Sequence, residues 1–117
     1  MRYQRLSFLA AFLIVLFAGP LLAQKITATI RGTVTDPSGG VIGGAKVTVL
    51  NEDTGLTRVS ETNSDGIYSF AELPVGSYRI EVEVDAFKSA VRTGIKLNVA
   101  DTRAVNVQLE TGSISEV

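Results

Sequence analysis

The chain of 117 residues contains no cysteine, no histidine and no tryptophan. Without cysteine there is no disulfide and no thiolate nucleophile. Without histidine, the usual general base and the commonest metal ligand are both missing. Formal net charge is only −1, from 11 basic and 12 acidic side chains. Nothing in that balance suggests a nucleic-acid partner. These gaps weigh against catalysis and metal binding. The expectation they set is a chain that is not an enzyme, with no cofactor, no metal and no nucleic-acid partner.

What is present begins with a short basic start, Met1-Arg2-Tyr3-Gln4-Arg5. Leu6 to Ala18 follows without a charge and is almost wholly apolar. Gly19-Pro20 then breaks the helix, and Leu21-Leu22-Ala23 leads to Gln24. This order of basic, apolar and small-residue regions is the pattern of a secretory signal peptide, with cleavage expected after Ala23. The apolar run is short for a spanning helix of about 20 residues. A lipid anchor would need a cysteine at the cut. Removing residues 1–23 leaves 94 residues with 9 basic and 12 acidic side chains, a balance of −3. An exported domain without cysteine must hold together by its core and its strand pairing.

The rest of the chain alternates with a period of two. Ile26, Ala28, Ile30 and Val34 interleave with Thr27, Thr29, Arg31, Thr33 and Thr35, the pattern of a half-buried strand rich in β-branched residues. Ala45, Val47 and Val49 alternate next, then Tyr68 and Phe70, then Tyr78, Ile80, Val82 and Val84. Ile95, Leu97 and Val99 follow, and Val105, Val107 and Leu109 close the series. Turn residues separate these runs: Asp36-Pro37-Ser38-Gly39-Gly40, Asn51-Glu52-Asp53-Thr54-Gly55, Asn63-Ser64-Asp65-Gly66 and Leu73-Pro74-Val75-Gly76. Thr57-Arg58-Val59-Ser60-Glu61 is a weaker, more polar strand. Its composition suits a sheet edge, where Arg58 and Glu61 would discourage edge-to-edge pairing. Seven short strands, each with one apolar face and no helical period, predict an all-β, seven-stranded antiparallel sandwich. A membrane barrel would need aromatic girdles and lipid-facing apolar positions, and the aromatics Tyr68, Phe70, Tyr78 and Phe87 cluster mid-chain instead.

Gly32-Thr33-Val34-Thr35-Asp36-Pro37-Ser38-Gly39 and Ile42-Gly43-Gly44-Ala45-Lys46-Val47-Thr48-Val49 resemble the opening of carboxypeptidase regulatory-like domains. Thr62-Asn63-Ser64-Asp65-Gly66-Ile67-Tyr68-Ser69-Phe70 and Leu73-Pro74-Val75-Gly76-Ser77-Tyr78 resemble the middle of the same family. The resemblance spans Ile26 to Leu109 and implies a prealbumin-like (transthyretin-like) sandwich, a fold grouped with carbohydrate-binding modules. A signal peptide followed directly by this domain looks like the start of Oar-like TonB-dependent outer-membrane receptors. In those proteins the domain precedes a plug and a barrel. The implied organisation is a signal peptide over 1–23, the sandwich over 24–110, and over 111–117 the start of a linker to a missing C-terminal region.

Several constellations invite a chemical reading. Glu81, Glu83 and Asp85 place carboxylates two residues apart on one strand face, as paired acids for hydrolysis would be; a solvated face explains them equally and is preferred. Asp53, Asn63 and Asp65 are oxygen ligands without the spacing of a calcium loop, and turn chemistry accounts for them. Tyr68, Phe70 and Phe87 are the candidate ligand-contact aromatics, as stacking surfaces for sugar rings, although alternating aromatics are more often core. Arg31 stands where a lysine would be needed for an isopeptide bond to Asn106, so that crosslink is rejected. The leading expectation is a non-catalytic accessory module of a TonB-dependent receptor in the periplasm or outer membrane of a Gram-negative bacterium. Its partners would be the plug and barrel of the same receptor, with Thr57, Arg58, Val59, Ser60 and Glu61 as an edge for a partner strand. The alternative is a carbohydrate-binding module, free or attached to the cell surface, with a polysaccharide partner.

Overall fold

The computed structural model describes residues 26–112; the expected signal peptide and residues 113–117 of the expected linker lie outside them. Eight strand segments follow in order, with no helix among the described residues: β1 (Thr27–Thr35), β2 (Lys46–Asn51), β3 (Thr57–Glu61), β4 (Ile67–Pro74), β5 (Gly76–Glu83), β6 (Ala90–Leu97), β7 (Thr102–Ala104) and β8 (Val107–Gln108). They form two sheets. One has the order β4-β1-β7, with β8 also on β1, and the other β3-β2-β5-β6. Most strands form where the period-two pattern lies, because alternation turns one row of side chains to the facing sheet and the other to water; the first half of β6 and all of β7 lack it.

The buried rows meet between the sheets. Ala28, Ile30, Val34, Tyr68, Phe70, Leu73, Val107 and Leu109 come from the first; Val47, Val49, Tyr78, Ile80, Val82, Ile95 and Leu97 come from the second. Burying each large aliphatic side chain contributes about 1.5–3 kcal/mol against the entropy of ordering the chain. No disulfide assists, so this layer and the ladders hold the domain. The tight turn at Asn63–Gly66 joins β3 to β4. There the Asn63 carboxamide oxygen accepts from the backbone N–H groups of Asp65 (2.9 Å) and Ile67 (3.0 Å), and Gly66 takes φ +74°, which costs glycine nothing.

Two features modify the expected antiparallel seven-strand sandwich. The last strand is in two pieces, β7 and β8, and both run parallel to β1. A single register runs through both pieces. The N–H of Val105 donates to the Arg31 carbonyl, and that of Leu109 to the Thr35 carbonyl, each at 2.8 Å. Between them the backbone ladder lapses, and the side-chain carbonyl of Asn106 accepts from the Thr33 N–H at 3.0 Å. The Val105 carbonyl instead turns into the sandwich, where it accepts from the Tyr68 hydroxyl. Gly32 makes this possible. A Cβ there would stand 1.9 Å from the Val105 oxygen, far inside any tolerable contact.

Candidate functional site

The residues singled out in the sequence do not converge on one centre. Tyr68 and Phe70 are 1% and 2% exposed. Their rings lie 6.0 Å apart at 58°, within the tilted range favoured by aromatic pairs. Both are core residues, so the stacking-platform reading of them is corrected: a sugar ring needs a face that water can reach, and these have none. The same alternation that makes them conspicuous in the sequence turns them inward. Phe87 is half-buried and packs against the core from the turn after β5. Burial pushes the Tyr68 phenol up to about 12.

The acidic candidates are likewise dispersed. Glu81 and Glu83 lie on the outer face of β5, with Asp85 in the turn beyond it. Glu81 stands 3.8 Å from Arg79. A surface hollow of about 350 Å³ is lined by Lys46, Glu83, Asp85 and Ser89, mixing both signs of charge without an aromatic ring. Asp53 accepts from the Ser77 N–H at 3.1 Å, so it fastens its own turn to the start of β5. Asp36 accepts from the Ser38 hydroxyl at 2.7 Å and from the Ser38 and Gly40 N–H groups at 2.9 Å, and these donors hold its carboxyl below the ordinary range. Asp36 is thus committed to its own turn, and Asp53 to the junction between its turn and β5. Arg31 and Asn106 line one shallow groove with Thr33, Ile67 and Ala104, and Asn106 is engaged by Thr33 as described.

The edges carry more information. Among the described residues β3 is an outer strand of its sheet, paired only with β2. Arg58 does not stand guard in solvent there, contrary to the sequence reading. Its guanidinium crosses the open flank of the sandwich, donates to the Ala71 carbonyl at 2.6 Å and lies 5.8 Å from the centroid of the Phe70 ring, within cation–π range. The opposite flank has a counterpart. Arg103 of β7 donates to the Lys96 carbonyl of β6 at 3.3 Å. One arginine thus ties the two sheets along each side. Sequence reasoning missed this role because it sees charge on a strand but not the carbonyl it reaches.

The chain enters and leaves this body at opposite ends. β1 begins at Thr27, and the parallel β7 and β8 run from beside Thr29 to beside Thr35. Beyond β8, Thr111 bridges to Phe87, Lys88 N–H donates to the Glu110 carbonyl at 2.9 Å, and Gly112 N–H donates to the Ala86 carbonyl at 3.1 Å. Residues 111 and 112 are therefore still fastened to the sandwich.

Comparison with known proteins fits this architecture. The chain is 31% identical over 108 residues to the TonB-dependent transporter Oar of Myxococcus xanthus, a match covering 88% of the chain and 10% of that protein. Among solved structures, a catechol 1,2-dioxygenase of Acinetobacter radioresistens superimposes with a TM-score of 0.62 at 17% identity, over 80% of the chain and 56% of the enzyme. The TIE protein of Bacillus anthracis does so with a TM-score of 0.63 at 19% identity, over 74% and 17%. A hydroxyquinol 1,2-dioxygenase of Pseudomonas putida DLL-E4 gives 0.62 at 10% identity, over 78% and 58%. These neighbours correct the expectation that the chain is not an enzyme. The sandwich is shared with dioxygenases, so its shape cannot set the chain apart from enzymes. At such identities the likeness shows the fold alone and assigns no activity. Residues 29–110 match the family described as carboxypeptidase regulatory-like domain, and the chain belongs to that family.

Proposed function

We infer that this chain is the amino-terminal accessory domain of a TonB-dependent outer-membrane transporter. The observation that carries the reading is the 31% identity over 88% of the chain to a transporter of which the match spans only a tenth. The geometry supports a linking role. Chain entry and exit lie at opposite poles of the sandwich, so the domain adds its own length between whatever precedes and follows it. Its exit is anchored through Glu110, Thr111 and Gly112 to the turn at Ala86–Lys88. The neighbours it would space or dock are the plug and barrel of the same receptor, on the periplasmic side of the outer membrane of a Gram-negative bacterium. The burial of Tyr68 and Phe70, which leaves them no ring face to offer a sugar, weighs against the carbohydrate-binding alternative.

Immunoblotting of cell fractions with an antibody raised against residues 24–117 tests the proposal. The expected result is a band far larger than this chain, in the outer membrane. A band of the 94-residue mature size in the periplasm or medium overturns it.

A further inference from the structure

The edge carbonyls of this sandwich are unequally protected. The outward carbonyl of Ala71 on β4 accepts from Arg58. On β6, the carbonyl of Val91 accepts from Nη1 of Arg92 at 3.1 Å and that of Lys96 from Arg103 at 3.3 Å. The β7–β8 edge is only three and two residues long and is broken between them. Short, interrupted or arginine-capped edges resist further strand addition. β3 has none of these defences. It is five residues long and continuous, the one arginine on it reaches across to another strand, and the one other charge, Glu61, stands at its end, where the pairing below sets it opposite a threonine.

The bonding pattern of β3 fixes which groups it offers. Asn51 N–H donates to the Leu56 carbonyl, and Thr62 N–H donates to the Ala45 carbonyl. With the register Val49↔Arg58 and Val47↔Ser60, antiparallel alternation commits the backbone of Arg58 and Ser60 to β2. It turns the N–H and C=O of Thr57, Val59 and Glu61 outward. These three positions are symmetric about Val59, which is 56% exposed.

The geometry points to a second copy of this chain as the occupant of that edge. The two β3 strands pair antiparallel about a twofold axis at Val59 and join two four-stranded sheets into one. This does not rest on the transporter reading. In that register Val59 faces Val59, and Thr57 faces Glu61 in two hydrogen-bonded pairs. Arg58 faces Ser60 on the inner side. No like charges stand directly opposite, the arrangement that would destabilise a cross-strand pair. The two Arg58 residues become diagonal neighbours, but each guanidinium is already drawn onto its own Ala71 carbonyl and Phe70 ring. Outward N–H and C=O groups meet in matching positions, as an isologous interface requires. Two five-residue edges bury less area than a stable interface needs, so the contact is weak and transient. It calls for covalent trapping.

The absence of native cysteine makes the trap clean. Directly opposed residues of a hydrogen-bonded pair have Cα atoms about 5.5 Å apart, within disulfide reach. The full chain carrying Val59→Cys is expressed in a Gram-negative host. Intact cells are treated with a mild thiol oxidant and the product is read on a non-reducing immunoblot. The expected result is a shift to twice the chain's mass. Val91→Cys, at a similarly exposed valine on the capped β6 edge (41% exposed), stays at monomer mass. Co-expressed Thr57→Cys and Glu61→Cys chains crosslink to each other, and neither crosslinks with itself, because the axis separates like positions by four residues. A Val59→Cys chain that stays monomeric, or dimerises no more than Val91→Cys, overturns the proposal. So does Thr57→Cys crosslinking to itself.

Discussion

Tyr68 holds the junction between the first and last strands from inside the core. Its ring is buried and its hydroxyl donates to the Val105 carbonyl, which points inward. The fold therefore retains the neutral phenol, and burial raises its pKa to about 12 from about 10 in an unfolded chain. A raised folded-state pKa contributes stability that is complete below the unfolded value and is lost as pH rises through the folded one. Tyr68→Phe is expected to lower stability by about 1–3 kcal/mol near neutral pH, the cost of leaving a buried acceptor unpaired. The gap to the parent should narrow from about pH 10 towards pH 12. Denaturant unfolding of both proteins at neutral and alkaline pH checks this; an unchanging gap would mean that the phenol does not titrate with folding. The sequence placed Tyr68 and Phe70 on one strand face, because alternation is local information. The Tyr68 acceptor lies 37 residues away and leaves no local trace.

Between elements, two contacts decide how the sheets close. Where β1 passes Val105, a Cβ on Gly32 would meet the Val105 carbonyl carbon at 2.6 Å as well as its oxygen at 1.9 Å. Both are backbone atoms that no rotamer can move aside. Gly32→Ala is expected to cost about 3 kcal/mol, at the upper end of overpacking, and to lose the Tyr68–Val105 bond. A lower thermal midpoint would register the cost; an unchanged midpoint would mean that the backbone at Val105 gives way without loss. On the flank, Arg58→Met keeps part of the side-chain packing on Phe70 and removes the donor to Ala71. The expected loss is smaller, about 1 kcal/mol, as for one net hydrogen bond, and denaturant midpoints suffice to measure it. A loss of several kcal/mol would mean that the Arg58 strap organises β4 rather than merely closing it. The strands were legible from their period, and β3 from its polar composition as an outer strand. The break in the last strand was not. Val105, Val107 and Leu109 alternate without interruption, and only the crossing of Gly32 and Tyr68 shows why the ladder lapses between them. Parallel pairing was equally hidden, since alternation looks the same whichever way the neighbour runs.

At the scale of the whole molecule, the parallel closing strand separates the two ends. An antiparallel last strand would return Gln108 to the beginning of β1. The parallel one carries Gln108 to the side of Thr35, leaving the sandwich between entry and exit. The family and the β-sandwich were legible in the turn and strand motifs of the sequence. The in-line path was not, because it depends on one pairing direction. The proposed linking role depends on that direction as well, so the distance between the ends is the measurement to make. With spin labels on cysteines replacing Ile26, which is 68% exposed, and Gln108, electron–electron dipolar spectroscopy reads it directly. A strand rise of about 3.3 Å per residue along β1 predicts a separation of about 30 Å. A separation under about 15 Å would place both ends at one pole, make the last pairing antiparallel, and contradict the in-line account.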